Sequence, residues 1–420
     1  MEQVTKRLSL KKNFSWNFIG NLVYTFAQWA ILSLLAKLGN PKMVGQFALG
    51  LALTAPIILF TNLQLRSIQA TDTENKYQFG EYFGLRIITN VLAILITLFV
   101  VFIGQYNVVT SFVIILVAFS KVIESWSDVI FGYLQQKERM DFTAISRIIK
   151  AILMLLLPSI FLFITNNVIW MVIGLCLSYV LVFIFYDLKV LKRFTSPKVI
   201  FNRKNYIEIT KLALPLGIVL MLGSLYINIP RIVIEKYLGE EQLGYFAAIA
   251  YLIVAGNTFI GAIGQAAAPR LAILFSEKSF IQFKNLLIKL VSIGFVTGIV
   301  GVIITLLFGE FILSIFYDSS YAKYNVVFTL LLISGAFNFS STFLGIGLTA
   351  TRSFKIQPYL GVIWIAVSFI SAIILIPKFD LFGAGYSAII SAIVQFLSQL
   401  IALSVIYLDK LKYSKEKVRS

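Results

Sequence analysis

The chain has 420 residues, of which 59% are hydrophobic and 13% charged, with a mean hydropathy of +0.89. Soluble domains carry about a quarter charged residues, so this composition excludes an ordinary globular fold and leaves no stretch for a separate soluble domain. The net charge of +17 does not point to nucleic acid, because the basic residues sit in short links beside apolar runs, where membrane topology accounts for them.

The single cysteine, Cys176, lies in an apolar run, so no intramolecular disulfide can form. There is no histidine, which removes histidine-based zinc sites, general bases and proton relays. A basic segment (Lys6, Arg7, Lys11, Lys12) precedes the first apolar run, which is too long for a signal-peptide core and lacks a small-residue cleavage site. It reads as a retained first span.

Twelve spans fit the hydropathy: 14–36, 43–65, 82–103, 108–132, 145–164, 168–188, 212–234, 243–266, 285–308, 325–349, 359–377 and 383–407. With the N-terminus inside, 27 of the 36 lysines and arginines fall on the inner side, among them Arg66, Lys76, Arg139 and Arg147, and five on the outer side. That bias predicts two cytoplasmic termini. The longest inner link, about 189–211, carries seven basic residues and divides the chain into bundles 1–200 and 201–420. The halves echo each other: Leu38-Gly39 precedes Gly45-Gln46-Phe47-Ala48, and Leu238-Gly239 precedes Gly244-Tyr245-Phe246-Ala247. Six spans per half make this a parallel repeat. The expected fold is therefore an all-α polytopic membrane protein of about twelve helices in two six-helix bundles. Between spans eight and nine, Pro269 to Lys289 reads either as an interfacial amphipathic helix or as an extension of the ninth span.

The seventh span, within Leu212 to Glu235, is crossed by Pro215, Gly217, Gly223 and Pro230, and its Ser224, Asn228, Arg231 and Glu235 share one face. A bendable helix with a polar stripe suggests moving machinery around a wet cavity. Four cations inside spans stand apart, Arg86, Lys121, Lys150 and Arg231, while Arg147 and Lys289, near the inner edges of their spans, count with the inner segments. Lys121 lies about 20 Å from the outer end of its helix, too deep to reach the headgroups easily. The other three are each about 5–8 Å inside a boundary, so snorkelling to the surface stands beside a functional reading. In the fourth span Lys121, Glu124 and Asp128 share a face. They form either an ion-pair network that aids assembly or a site where Lys121 holds an anion while Glu124 or Asp128 exchanges a proton or cation. Neutral stripes run along the first span (Asn17, Asn21, Tyr24, Gln28), the tenth (Ser334, Asn338, Ser341, Gly345) and the twelfth (Ser387, Ser391, Gln395, Ser398). They serve helix–helix contacts or line a cleft between the halves. No phosphate-binding glycine loop, metal-ligand cluster or nucleotide motif occurs.

The run Asn62-Leu-Gln-Leu-Arg66-Ser-Ile-Gln-Ala-Thr-Asp72, with Phe79-Gly80-Glu81-Tyr82-Phe-Gly84-Leu-Arg86, resembles the bacterial polysaccharide and O-antigen repeat-unit flippases. These belong to the multidrug/oligosaccharidyl-lipid/polysaccharide exporter superfamily. Asn228-Ile-Pro-Arg231, Leu238-Gly239, Gly244-Tyr-Phe246 and Gly264-Gln265-Ala-Ala-Ala-Pro269-Arg270-Leu are similar to that family's second half. The resemblance implies a MATE-like, V-shaped pair of bundles with a cationic cavity in the bacterial cytoplasmic (inner) membrane. Its implied substrate is an undecaprenyl-diphosphate-linked oligosaccharide for O-antigen, lipopolysaccharide or capsule, moved by alternating access.

Arginine suits such a diphosphate because its donor fork is planar and permanently charged. The expected substrate-binding set is Arg86, Lys121, Lys150, Arg231, Asn228, Asn17, Asn21 and Gln28, with Glu124 and Asp128 for ion coupling. No catalytic residue, metal or cofactor is expected beyond a proton or sodium gradient. The expected partners are the lipid-linked oligosaccharide, membrane lipids, and a polysaccharide polymerase and glycosyltransferases of the pathway, with no nucleic acid. Two other readings stand beside this one. A polysaccharide polymerase or ligase needs a sizeable outer loop, and the longest here is about 16 residues, from 309 to 324. A multidrug antiporter handling cations would favour a more acidic cleft. If the intramembrane charges face a watery vestibule, reagents in water should modify cysteines placed at Lys121, Asn228 and Arg231 in at least one state of the transport cycle. Protection of all three in every state would refute that picture.

Overall fold

The computed structural model describes residues 7–72 and 74–419, so Lys6 of the N-terminal basic segment lies outside the described residues. Among the described residues there is no strand. The first helices are α1 (Leu10–Leu38), α2 (Pro41–Asn62), α3 (Leu65–Thr71), α4 (Phe79–Gly104), α5 (Val108–Gln136), α6 (Met140–Thr165) and α7 (Val168–Val182). A π-helical turn, Phe183–Asp187, leads from α7 into α8 (Leu188–Leu191). The rest of the chain forms α9 (Arg203–Ser276), α10 (Phe280–Phe316), α11 (Ser319–Ala322), α12 (Asn325–Ala350) and α13 (Gln357–Arg419).

Ten helical stretches among the described residues are long and apolar enough to cross a membrane. Two of them are far longer than one crossing requires. α9 has 74 residues and breaks at Gly239, which takes φ +85°, a conformation closed to most side chains. α13 breaks at Asp380, with φ 53° and ψ −137°. Both breaks fall where the sequence separates one span from the next. By contrast, α9 runs unbroken through Pro215 and Pro230. Each expected span lies within a helix, except that 43–65 crosses the break after α2 and 168–188 crosses the π turn. Pro269 to Lys289 does not form a separate interfacial helix. Residues 277–279 turn the chain, and the remainder extends α9 and α10.

By packing, the chain divides into two compact units, Met1–Ser224 and Leu225–Ser420, with the division inside α9. In the first unit α1 packs on α6, while α5 packs against α2, α4 and α7. In the second, α12 packs on both α10 and α13. The internal repeat has a structural counterpart: residues 44–50 and 243–249, beside Gly39 and Gly239, are each buried without interruption. Broad, exposed apolar faces such as Leu95, Phe99, Phe102 and Ile103 on α4 suit contact with lipid.

Lipid offers no hydrophobic drive for helices to associate, so close backbone approach supplies much of the packing. A Cβ on Gly20 would meet Ala144 Cα of α6 at 2.6 Å, and one on Gly294 would meet the Ser340 backbone nitrogen of α12 at 2.7 Å. Gly223, by contrast, has nothing within 4 Å of such a Cβ. Gly20→Val and Gly294→Val should each lose about 1–3 kcal/mol or fail to accumulate, whereas Gly223→Ala should hold or gain about 0.5–1 kcal/mol. Thermal melts of the detergent-purified protein test this ordering.

Candidate functional site

The site begins on one face of α5. Lys121 Nζ donates to Glu124 Oε2 at 2.8 Å, and the Tyr24 hydroxyl of α1 donates to Glu124 Oε1 at 2.6 Å. The Tyr179 hydroxyl of α7 lies 3.0 Å from that of Tyr24, so one carboxylate ties three helices together. One turn on, Asp128 accepts from Arg66 of α3 at 3.3 Å and faces Arg86 Nη2 of α4 at 3.9 Å. Between α2 and α3, Leu63 and Gln64 both adopt left-handed backbone. That break sets Asn62 against Arg86 Nη1 and leaves Arg66 free to turn toward Asp128.

Phe131, also on α5, collects cations. Arg66, Arg147 and Lys150 lie 5.8, 5.6 and 4.9 Å from its ring centre. The negative face of a ring attracts cations, most of all where water is thin. Lys150 Nζ also meets Asp187 Oδ2 at 3.1 Å. Asp187 ends the π turn and accepts from Ser127 Oγ at 2.5 Å and Ser146 Oγ at 2.6 Å. Such turns change the register of a helix and often accompany functional positions.

The structure brings together Arg86, Lys121, Lys150, Glu124 and Asp128 of the expected residues. Arg86 and Lys150 are almost wholly buried and point into the bundle, which rules out snorkelling for both. Asn17 joins through Arg147, which donates to it at 3.3 Å. Asn21 is exposed and Gln28 half-buried, and neither hydrogen-bonds to the cluster. In the second unit, Arg231 donates to the buried Asn228 at 3.0 Å and lies over Tyr251 at 5.4 Å. The neutral stripes there join helices: Ser334 donates to Ala388 O, Ser371 meets Ser387 at 2.7 Å, and Trp364 donates to Ser398 at 2.8 Å.

The sequence reading missed three members. Arg147, at the inner edge of the fifth span, counts as an inner-segment charge in the sequence, but α6 begins at Met140 and turns Arg147 into the bundle, toward Phe131 and Asn17. Arg66 falls in the same inner class because the break after Asn62 does not show in hydropathy. Asp187 closes an apolar run at 168–188, and its charge was the available signal. Arg147 also lies within electrostatic reach of Arg66, Asp128, Tyr24 and Glu124, which makes the whole set one cluster. Five cations (Arg66, Arg86, Lys121, Arg147, Lys150) face three carboxylates (Glu124, Asp128, Asp187). The surplus is two positive charges. Arg86 Nε has no hydrogen-bond partner among the described residues. No cluster of three or more metal-ligating side chains occurs among the described residues.

The profile of the family described as "Polysaccharide biosynthesis protein" matches residues 10–275. The chain is also 32% identical over 390 residues to the capsular polysaccharide biosynthesis protein CapF of Staphylococcus aureus, covering 92% of this chain and 97% of CapF. The chain belongs to the polysaccharide biosynthesis protein family. The resemblance drawn from Asn62–Asp72 and Phe79–Arg86 is thereby borne out. The fold of this family member is shared with solved transporters. The lipid II flippase MurJ, in an inward closed conformation, superposes with a TM-score of 0.75 at 13% identity, covering 94% of this chain and 90% of MurJ. An inward-facing multidrug-resistance MATE transporter of the MOP superfamily gives 0.73 at 13% identity, covering 93% and 98%. This is thus a multi-pass membrane protein with a transporter fold.

The buried Lys150–Asp187 pair makes a sharp stability test. Removing one partner of a buried pair strands the other charge, at a cost of about 3–5 kcal/mol. Lys150→Met and Asp187→Asn should each lose that much in melts of the detergent-purified protein, and the K150M/D187N double variant distinctly less than their sum. Simple additivity would show that the two charges do not depend on each other.

Proposed function

We propose that this family member is a flippase for a lipid-linked oligosaccharide whose sugar and carrier are joined by a diphosphate. It works in the bacterial cytoplasmic membrane, with twelve crossings and both termini in the cytoplasm, and it moves its substrate by alternating access rather than by catalysis. The observation that carries the reading is the surplus of two positive charges inside the first unit, beside an unsatisfied guanidinium donor on Arg86. A diphosphate linkage is dianionic and cannot cross hydrocarbon unaided. Planar guanidinium groups hold phosphate oxygens in pairs. The capsular relative and the flippase-like fold support the same assignment. A cationic drug would find a repelling interior here.

In this reading Arg86, Arg147 and Lys150 attract the diphosphate, with Lys121 at the far end of the cluster. Arg231, with Asn228, is proposed as a further polar contact for the substrate. Glu124 and Asp128 each hold a cation that arriving phosphate would compete for, which makes them the candidates for exchange with a proton or sodium gradient. The test is complementation of a strain lacking the gene. Arg86→Ala, Lys121→Ala and Arg147→Ala should each cut surface polysaccharide roughly tenfold, the loss of a charged hydrogen bond, at unchanged protein abundance. Lipid-linked intermediate should accumulate on the inner leaflet. Glu124→Gln or Asp128→Asn should abolish dependence on the ion gradient. Normal export in all three cation variants would remove the cluster from the transport path.

A further inference from the structure

A second feature of the first unit lies on the other side of α4 from the charged cluster. Residues 198–202 are laid across the start of this helix. Ile200 N–H donates to Gly80 O at 3.1 Å, and the Tyr206 hydroxyl donates back to Ile200 O at 2.7 Å. Gly80 and Gly84 make this possible, since a Cβ on either would strike Lys198 O or the Tyr206 hydroxyl. Between α4 and the first turns of α9 this leaves a groove of about 690 Å³. Leu85 and Tyr206, both buried, form its floor, and the exposed Ile88, Phe201 and Ile207 form its apolar walls.

Two cations complete it. Arg203 and Lys211 also line the groove, and with Ile207 they stand at i, i+4 and i+8 on one face of α9, about 12 Å apart along the axis. Neither forms a hydrogen bond or ion pair with the described residues. The neighbouring Lys76 and Glu208 do pair, at 3.0 Å, so the acid nearest in sequence is already engaged. The groove therefore joins apolar walls to two unneutralised positive charges, at the end of α4 that borders the most basic link of the chain. A free inorganic anion would use the charges and waste the walls, while a zwitterionic lipid would bring its own cation to both charges. Ile88 lies about 200° around α4 from Arg86, so the helix itself separates an occupant here from the diphosphate cluster.

We propose that this groove binds one anionic phospholipid. Its phosphate sits between Arg203 and Lys211, and one acyl chain runs along Ile88, Phe201 and Ile207. The volume falls in the usual range for a small-molecule site and takes a headgroup with the upper part of one chain. Each basic residue at an anionic membrane surface strengthens such binding about five-fold. Bound there, the lipid would clamp the link at 198–202 between α4 and α9. The inference does not depend on what the protein transports.

The full-length protein, purified in detergent and offered phosphatidylglycerol or phosphatidylcholine, is read by native mass spectrometry and by thermal melts. One phosphatidylglycerol per chain should be retained and should raise the melting temperature, and phosphatidylcholine should do neither. The R203A/K211A double variant should bind phosphatidylglycerol about thirty-fold more weakly, and R203K/K211R should keep most of the binding. Ile207→Trp, which fills the groove and leaves both charges, should also lose the lipid. Equal retention of the two lipids, unchanged binding in R203A/K211A, or preferential capture of undecaprenyl phosphate over phosphatidylglycerol would each overturn the proposal. If the double variant fails to fold, I207W carries the same decision.

Discussion

Lys150 and Asp187, each about 2% exposed, meet at 3.1 Å in the interior of a bundle whose outer surface is built for lipid. Ionised groups at that depth are expensive, and they persist only when other protein groups answer them. Asp187 is answered three times, by Lys150, Ser127 and Ser146, from two further helices. Glu124 is answered by Lys121 and Tyr24, and Asp128 by Arg66 and Arg86. Each carboxylate thereby fixes the mutual placement of helices that apolar packing alone would leave free to slide. These paired charges hold the register of the first unit.

The accounting is incomplete by two positive charges, and the proposed role in transport rests on that imbalance. A network built only for assembly has no reason to leave a buried guanidinium nitrogen without a partner. Phe131 offers its ring to three cations and softens their mutual repulsion without neutralising it. The ring thus lets three cations share one interior without a carboxylate for each.

Helix α4 separates two environments by its own thickness. Arg86 turns inward to Asn62 and Asp128, while Ile88 turns outward to a lipid-like groove closed by Tyr206. Gly80 and Gly84 allow the chain at 198–202 to lie directly on this helix. A resident lipid on one side and a charged cluster on the other would both act on α4, the first by pinning its start and the second by holding its interior face.

Much of this protein was legible in its sequence. Hydropathy marked the apolar helices though not their ends, and the strings around Arg66 and Arg86 marked the family. Those features are local or periodic, and a linear reading captures them. The spacing of Lys121, Glu124 and Asp128 placed them on one face because helical geometry fixes it. What needed the tertiary structure was the partnership across helices. Arg147 and Arg66 looked like loop charges because hydropathy cannot see that α6 starts early or that the chain breaks after Asn62. Asp187 found Lys150, and Phe131 found three cations, across separations of tens of residues. Which charge meets which is set by how helices pack, and no residue carries that information in its own neighbourhood.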